Sequence, residues 1–486
     1  MQLTYAVFAL VGYIAFWFVA RLIVDFIRRG KFMKKHGCKP ISKIVYTWEP
    51  FLGLDYMYKC VQNAKRGYYM RFQRSRFQEY GTTFAIRRSL FDTLHTVDPE
   101  NIKFILATGF ENYKLATLRV KAMMPLFGTG IFTTDGPAWA HSRAILRPSF
   151  TRQNMAPLLR MMERHWQMLL RQVPADGVTF DVQNLFFCFA MDTATEFLMG
   201  HSTHTLDTSQ HHEAEKTFVE DYLNCCYEVI RQIAMGPLQG LSTTPKGIPE
   251  ARDRAWAYVD SFVDQALAKR EKRATTSSSS ISLELEPEEE DGDSAEYNFL
   301  ATLSSQTTDR KLLREQVLGV LLASRDTTAA LISNMFYELS RNPEIYSRLR
   351  RECLSQINST LPTEGELNSM TYLRWCLNEA LRLHPVVPGN TREAACDTVL
   401  PRGGGKDGKE PIFVKKGTPV LYNVYTMHRR KDLYGEDADV CRPERWEGLR
   451  PGWGFLPFNG GPRICLGREF FPLSLPSLHH FQSLIR

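Results

Sequence analysis

A short segment surrounds Cys465 with residue types that could support a metal-bound thiolate. It begins at Phe458 and reads Phe-Asn-Gly-Gly-Pro-Arg-Ile-Cys-Leu-Gly. Gly461 and Gly467 allow a tight loop to approach a flat macrocycle, because glycine has no side chain to obstruct it. Arg463 offers a cation for a haem propionate, and Phe458 can shield the sulfur from water. The pattern favours Cys465 as an axial iron ligand over the alternative, a buried structural cysteine in a Gly-Pro turn.

A second group of polar residues interrupts an apolar stretch that is predicted to be helical. Ala323, Asp326, Thr327 and Ala330 recur at helical spacing within the apolar run 317–332. An acid and a hydroxyl in such a run are costly unless they are paired or used. Asp326 and Thr327 are therefore candidate functional residues, with a solvated helix face as the alternative.

Two further spacings place pairs of side chains on one helix face. Glu379 and Arg382 are three positions apart, and Trp139 and Arg143 are four positions apart. Each pair alone is a weak signal, because solvated ion pairs contribute little and a tryptophan beside a long arginine also occurs in ordinary cores. Whether these two pairs have a function can be judged only together with the motifs around them.

Taken in order, these motifs resemble those of the cytochrome P-450 superfamily. The segment at Cys465 matches every fixed position of the family's Phe-x-x-Gly-x-Arg-x-Cys-x-Gly loop. Residues 323–328 are similar to the oxygen-activation motif of its central helix, except that Ser324 stands where glycine is usual. The resemblance implies that Thr327 hydrogen-bonds dioxygen and that Asp326 helps to relay protons. Ser324 is expected to narrow the groove over the haem or to reduce the local helix distortion.

The resemblance also assigns supporting roles to the paired residues. Trp139 and Arg143 are implied to contact the haem propionates. Glu379 and Arg382, with Arg445 from a later Arg-Pro-Glu-Arg-Trp segment, are implied to form a buried network that fixes the loop below the haem. That network is structural support rather than chemistry.

One branch of the family is especially similar. Residues 128–136 and 427–438 resemble the fungal n-alkane and fatty-acid hydroxylases of the endoplasmic reticulum, and the match covers roughly residues 40–471. It implies a mainly α fold with small β-sheets, a helix-rich haem-binding prism, that inserts one oxygen atom of O₂ into a C–H bond of a long-chain alkane or fatty acid. The alternatives are another lipophilic substrate on the same fold, or a truncated haem-binding remnant without catalysis.

The implied cofactor is haem b, iron protoporphyrin IX, whose thiolate ligand favours O–O cleavage. Electrons are expected from NADPH through a separate flavoprotein reductase, because the sequence has neither a dinucleotide fingerprint nor a flavin domain. Arg463 and Arg468 are candidates to meet an acidic reductase surface, and a solvated rim is an equal alternative. An isomerase or peroxide-using enzyme of the same fold is disfavoured because Asp326 and Thr327 are both present.

Composition supports a large globular chain in a reducing compartment. The 486 residues are 44% hydrophobic, and the ten cysteines include no Cys-x-x-Cys pair. This usage favours a cytosol-facing compartment over a disulfide scaffold. The net charge of +7 is dispersed, so no nucleic-acid partner is predicted.

Residues 1–27 are predicted to form a transmembrane anchor. Residues 3–20 carry no charge, and the apolar run reaches Val24 if Arg21 snorkels, giving about 33 Å of helix. The basic cluster follows this run instead of preceding it, which favours an anchor over a cleaved signal peptide. The positive-inside rule then leaves residues 28–486 on the cytosolic face of the endoplasmic reticulum membrane as one monooxygenase domain.

Two segments depart from the globular pattern. Residues 274–296, rich in serine and then in acidic residues, are predicted to be a disordered loop. Residues 472–486 do not resemble the family's continuation, because Pro472 and Pro476 oppose the expected helix. The family's C-terminal helix and β-hairpins are therefore expected to be missing, through a shifted reading frame or a retained intron, with a genuinely shortened enzyme as the alternative.

Overall fold

The structure, a computed structural model, describes residues 2–88, 92–151, 155–174, 178–207, 212–279, 298–357 and 363–468. Its α-helices are, in chain order, α1 (Gln2–Lys35), α2 (Leu54–Lys65), α3 (Tyr69–Tyr80), α4 (Pro99–Lys103), α5 (Thr117–Phe127), α6 (Gly136–Leu146), α7 (Met155–Arg171), α8 (Val182–Met199), α9 (Glu213–Met235), α10 (Ile248–Ser279), α11 (Phe299–Gln306), α12 (Arg310–Arg341), α13 (Pro343–Gln356), α14 (Glu364–Ser369), α15 (Thr371–Leu383), α16 (Val424–Met427) and α17 (Lys431–Tyr434). Its strands are β1 (Ile44–Tyr46), β2 (Thr83–Arg87), β3 (Thr93–Thr96), β4 (Tyr113–Leu115), β5 (Gly389–Ala394), β6 (Thr398–Gly404), β7 (Glu410–Val414) and β8 (Pro419–Asn423). The prediction of a mainly α fold with small sheets is confirmed.

The chain divides into two compact units. One comprises Met1–Lys114 with Gly389–Met427, and the other comprises Leu115–Pro388 with His428–Arg486. The first unit holds the strands of a six-stranded sheet of order β1-β2-β3-β8-β5-β4, apart from Leu115 at the end of β4, and a two-stranded sheet of β6 and β7. The second unit is helical and contains every predicted site residue. The chemistry of the chain therefore has to be sought in the second unit.

The first unit begins with α1, which carries many solvent-exposed large apolar side chains. Phe16 is 72% exposed and Phe26 is 79% exposed, far above what a helix packed in a core shows. Among the described residues, no helix combines the length and the apolar character that crossing a membrane requires.

The centre of the second unit is α12, which contains the apolar run 317–332 that was predicted to be helical. It begins where the Asp309 carboxylate accepts a hydrogen bond from the Leu312 amide at 3.1 Å, which satisfies one free donor of the first turn. Val317, Leu318 and Leu321 are fully buried in the core that α12 shares with α8 and α9. Burial on several sides explains why its apolar run is nearly continuous.

The two atypical segments lie mostly outside the described residues. α10 extends to Ser279, so the first residues of the predicted disordered loop 274–296 are helical, and residues 280–296 lie outside the described part of the chain. Residues 472–486, predicted to be an atypical C-terminus, lie outside it as well.

Candidate active site

Cys465 ends a loop that is closed by backbone hydrogen bonds. The Cys465 amide donates to the Phe458 carbonyl at 3.0 Å, and the Ile464 amide donates to the Gly461 carbonyl at 3.0 Å. Gly461 has φ +67° and Asn459 has φ +62°, both in the left-handed region. Glycine and asparagine are the residues that adopt this region most readily, so the local sequence encodes the tight reversal.

The thiol of Cys465 fits the role of a metal ligand. It is a free thiol on an exposed residue. Although the residue is exposed overall, neighbouring protein desolvates the sulfur and raises the pKa of Cys465, while the Gly467 amide and the positive charge of Arg143 act to lower it. A side chain at position 467 would place its Cβ 3.9 Å from the sulfur. An accessible sulfur facing amide donors and a cation suits a thiolate bound to iron, because the metal replaces the proton.

Arg463, Trp139 and Arg143 lie together beside the loop. The Arg463 guanidinium carbon is 4.4 Å from the Trp139 ring centroid, and that of Arg143 is 5.9 Å from it. Arg463 also donates to the Asp135 carboxylate at 2.7 Å and to the Thr134 carbonyl at 2.9 Å. The structure thus brings together the three residues predicted to face the propionates, and it adds an anionic partner for one of them.

Asp135 is a site residue to which the sequence assigned no role. Both of its carboxylate oxygens accept from the Leu115 amide, at 3.1 and 3.2 Å, just before α6 begins. An acid immediately before a Gly-Pro helix start was the available signal. Arg143 has no such carboxylate partner among the described residues, and burial lowers the pKa of its guanidinium, an effect that Cys465 opposes.

On α12, the hydroxyls of the predicted oxygen-activation motif turn back onto the helix. Thr327 donates to the Ala323 carbonyl at 2.5 Å, and Ser324 donates to the Val320 carbonyl at 2.9 Å. Such bonds to the carbonyl four residues earlier satisfy a hydroxyl in an apolar segment and can bend the helix. The Thr327 hydroxyl can therefore reach another acceptor only by leaving Ala323.

Asp326 forms an ion pair with the residue next to it. Its carboxylate accepts from the Arg325 guanidinium at 2.5 Å, and the Asp326 side chain is 49% exposed. The Arg325 guanidinium carbon lies 4.8 Å from the Phe187 ring centroid on α8. Arg325 lies inside the predicted motif, but adjacency in sequence does not by itself predict a contact, so the pair was missed.

Glu379 is the hub of a buried polar network. Its two oxygens accept from Arg382 at 2.8 and 2.9 Å, from Arg445 at 2.9 Å, from the Arg442 amide at 2.9 Å and from the Trp446 indole at 3.0 Å. Glu379 is 1% exposed, so this carboxylate exchanges water for five protein donors. The three residues predicted to form the network are in contact, and Trp446 is an additional member.

Arg382 uses all five of its N–H donors. Two bonds go to Glu379, and three go to the carbonyls of His428, Ala438 and Val440. These carbonyls belong to a segment with little regular secondary structure, which leads to the Cys465 loop. The Arg382 guanidinium therefore donates to these three backbone carbonyls, which in a β-sheet would accept from the amides of a neighbouring strand.

His428 connects this network to the chain before the loop. Its Nε2 accepts from the Leu456 amide at 2.9 Å, and burial lowers the pKa of His428 to about 3. A ring nitrogen that accepts from an amide must be unprotonated. His428 was not singled out from the sequence, because no motif marked it.

Stability should fall as the pH drops below the ordinary histidine value. The pKa of His428 and that of His95 in the first unit are both lowered by burial, from 6.5 to about 3. Between these values the unfolded chain binds protons that the folded chain excludes, so each histidine removes up to about 1.4 kcal/mol of stability per pH unit. Urea midpoints measured between about pH 7 and about pH 5 should show this loss.

In His428→Gln, the loss of stability per pH unit should be smaller by up to about 1.4 kcal/mol, which is the contribution of one titrating histidine. The exposed His141→Gln is the control for loss of one imidazole. An identical pH dependence in the parent and His428→Gln would contradict a neutral buried His428.

Comparisons with known proteins point to one family. The sequence model of the cytochrome P450 family matches residues 50–472. The chain is 42% identical to cytochrome P450 monooxygenase himC of Aspergillus japonicus over 89% of this chain and 76% of that protein. It is 40% identical to cytochrome P450 52A12 of Debaryomyces hansenii, with 92% and 86% covered. It is 38% identical to cytochrome P450 52A3-A of Candida maltosa, with 91% and 84% covered.

These relatives are fungal, as the resemblance to a fungal branch predicted. The family's chemistry uses a haem-thiolate cofactor, O₂, a redox partner and a lipophilic substrate, and the accessible thiol of Cys465 fits that cofactor. The chain belongs to the cytochrome P450 family and is a monooxygenase.

Proposed function

We propose that this monooxygenase hydroxylates long aliphatic chains, alkanes or fatty acids, with haem b bound through Cys465. The observation that carries the haem assignment is the free, accessible thiol at the end of a hydrogen-bonded loop, beside amide donors and Arg143. Bound haem supplies the oxygen chemistry, and its thiolate ligand favours O–O cleavage. The aliphatic substrate class is supported by the resemblance of residues 128–136 and 427–438 to the alkane and fatty-acid hydroxylases.

Thr327 and Asp326 are proposed to control proton delivery. The Thr327 hydroxyl now donates to Ala323, so it must rotate to donate towards the reacting oxygen. Asp326 is half exposed and can exchange protons with water, but its carboxylate forms an ion pair with Arg325. In this proposal, breaking the Arg325 contact precedes each proton transfer by Asp326.

The remaining residues are proposed to hold and support the cofactor. Trp139, Arg143 and Arg463 would face the propionates, with Arg463 fixed in place by Asp135. The Glu379 network would hold the segment that leads to the Cys465 loop. The propionate assignment is supported by the proximity of Trp139, Arg143 and Arg463 beside the Cys465 loop.

Electrons are proposed to come from NADPH through a separate flavoprotein reductase. α1 is proposed to attach the chain to the endoplasmic reticulum. Residues 1–27 would be the anchor, with residues 28–486 in the cytosol. Support for attachment comes from the exposed aromatic residues of α1 and from the basic residues near its end, including Lys34 and Lys35. Arg468 near the thiolate is proposed to contact the reductase.

The test is turnover in membranes that contain the full-length chain and an NADPH-dependent reductase. Fatty acids and n-alkanes should shift the haem absorbance and yield hydroxylated products that depend on NADPH and O₂. Affinity should rise by about 0.8 kcal/mol, or roughly fourfold, per added methylene until the pocket is filled. A chain lacking residues 1–27 should sediment less with membranes and still bind haem.

A compact polycyclic compound is the matched ligand control. A clear shift with the polycycle and none with any aliphatic chain would reject the substrate class. Equal sedimentation of the full-length and shortened chains would reject the anchor.

A further inference from the structure

The carboxylate of Glu315, near the start of α12, is buried and has no part in the function proposed above. The residue is 2% exposed. A buried carboxylate is costly unless hydrogen bonds or an opposite charge compensate for the lost water. The ion pair with Lys311 spans 3.8 Å and the Lys311 side chain is 68% exposed, so this pair compensates little. The main partners of Glu315 must therefore lie elsewhere in the fold.

Glu315 binds the start of the α5–α6 loop, which comprises residues 128–135. The Thr129 amide and the Thr129 hydroxyl donate to the same carboxylate oxygen, Oε2, at 2.8 and 2.9 Å. Hydrogen bonds to an ionised acceptor are stronger than bonds between neutral groups. These two bonds tie the α5–α6 loop to α12 across 186 positions of sequence.

Two glycines bring the α5–α6 loop and α12 into close contact. Gly128 has φ +53°, and a Cβ there would lie 1.9 Å from Oε1 of Glu315, so only glycine admits the carboxylate. A Cβ at Gly319 would lie 3.6 Å from the Phe132 ring, so this ring packs directly against the helix. Glu315 and Gly319 are four positions apart and share one face of α12. The loop therefore packs on that face through one polar and one apolar contact.

Hydrogen bonds within the α5–α6 loop connect its two ends. The Thr133 hydroxyl donates to the carbonyls of Gly128 at 2.5 Å and Gly130 at 3.2 Å. The Thr134 hydroxyl donates to the Gly130 carbonyl at 2.9 Å. Because these bonds link the start of the loop to its end, a displacement of the first residues moves Thr134 as well.

The end of the same loop holds Arg463 beside Cys465. The Arg463 guanidinium donates to the Thr134 carbonyl at 2.9 Å and to the Asp135 carboxylate at 2.7 Å. Glu315 and Arg463 therefore bind opposite ends of one short loop.

We propose that Glu315 is a positioning residue for the contact between Arg463 and the haem. By holding the α5–α6 loop on α12, Glu315 places the two acceptors that orient the Arg463 guanidinium towards a propionate. The inference rests on the proposed haem function, and it adds a residue that acts through Thr129 rather than on the reacting atoms. Loss of the Glu315 contact should loosen the loop and weaken the retention of haem.

Amide hydrogen exchange in the full-length, haem-loaded chain tests whether Glu315 holds the loop. Glu315→Leu has a similar size but no acceptor, so peptides covering residues 128–135 should exchange about tenfold faster. Glu315→Gln should stay within about threefold of the parent, because its amide oxygen can accept both Thr129 bonds. Glu220→Gln, at an exposed position on α9, is the control and should match the parent. Parent-like exchange in Glu315→Leu would overturn the proposal.

Transfer of haem to excess apomyoglobin tests whether the loop acts on Arg463. Glu315→Leu and Asp135→Asn should each release haem about tenfold faster, because each removes charge-assisted hydrogen bonds. The double variant should release haem no faster than the faster single variant, since both changes act through Arg463. Rates that multiply in the double variant would mean that the two effects are independent, and the positioning role would be refuted.

Thr129 offers a milder pair of variants that keeps the test valid if Glu315→Leu folds poorly. Thr129→Val keeps the amide bond but loses the hydroxyl bond, so it should release haem about threefold faster. Thr129→Ser keeps both bonds and should match the parent. Equal release from Thr129→Val and the parent would contradict the role of the loop.

The carbon monoxide spectrum separates this inference from the proposed function. A thiolate-type spectrum in the parent, together with parent-like haem release in Glu315→Leu and Thr129→Val, rejects the positioning role and leaves the oxygenase function in place. Absence of that spectrum in the parent rejects the haem-thiolate function, and faster exchange of residues 128–135 in Glu315→Leu would then support the loop contact alone.

Discussion

Cys465→Ser is expected to abolish the thiolate-type absorbance spectrum of the reduced, carbon monoxide-bound protein. A neutral serine hydroxyl cannot replace an anionic sulfur donor, and the electron density that the thiolate gives to iron determines both the spectrum and O–O cleavage. In the structure, Cys465 is a free thiol on an exposed residue, as a ligand for iron must be. The loop itself should persist, because the bond between Cys465 and Phe458 joins backbone atoms.

The measurement is the difference spectrum of purified parent and variant at equal haem content. Cys396→Ser is the matched control, because Cys396 is also a free thiol on an exposed residue but lies in the other compact unit. A thiolate-type spectrum in Cys465→Ser, or its loss in Cys396→Ser, would refute Cys465 as the ligand.

Glu379→Ala is expected to cost about 3–5 kcal/mol, because it leaves buried guanidinium groups without their carboxylate. Arg382 is fully buried and Arg445 is 7% exposed, so water cannot replace the lost partner. A loss of this size is comparable with the whole stability of many proteins. Most of the variant should therefore be misfolded and low in haem.

Urea midpoints and the haem-to-protein ratio measure this effect. Glu447→Ala removes an exposed glutamate from the same part of the chain and should change neither quantity. Glu379→Gln keeps the shape but not the charge, so it should fall between the other two variants. Equal midpoints for Glu379→Ala and Glu447→Ala would show that the network contributes nothing to stability.

The parts of the fold and site that were predictable are those with local or periodic signals. The helical period around residues 317–332 predicted α12. Short β-like segments of the sequence near residues 82–97, 397–400 and 411–422 predicted strands where β2, β3, β6, β7 and β8 lie. Glu379 and Arg382 are three positions apart on one helix, so their contact follows from helix geometry alone. Arg445 required the family resemblance, because it is 66 positions from Glu379.

The other features of the fold and site depend on tertiary packing between distant residues, which local patterns in a single sequence do not indicate. The ion pair between Arg463 and Asp135 joins residues 328 positions apart, and no local pattern selects one carboxylate among the many acids. The strand β5 was missed because its sequence, Gly-Asn-Thr-Arg-Glu-Ala, is polar and its position is fixed by pairing with β8. The extension of α10 to Ser279 was missed because composition suggested a loop.

The saturated guanidinium of Arg382 limits which amino acids that position can tolerate in related sequences. Its five donors meet two carboxylate oxygens and three main-chain carbonyls at once, in a fixed planar fork. Lysine keeps the charge but has only three donors on a flexible stem, so at least two of these five hydrogen bonds would be lost. Because three of the partners are backbone atoms, no compensating side-chain change elsewhere can restore the match. The main-chain carbonyls around position 382 therefore require arginine there. Substitutions of the side chains in residues 428–440 do not change this requirement.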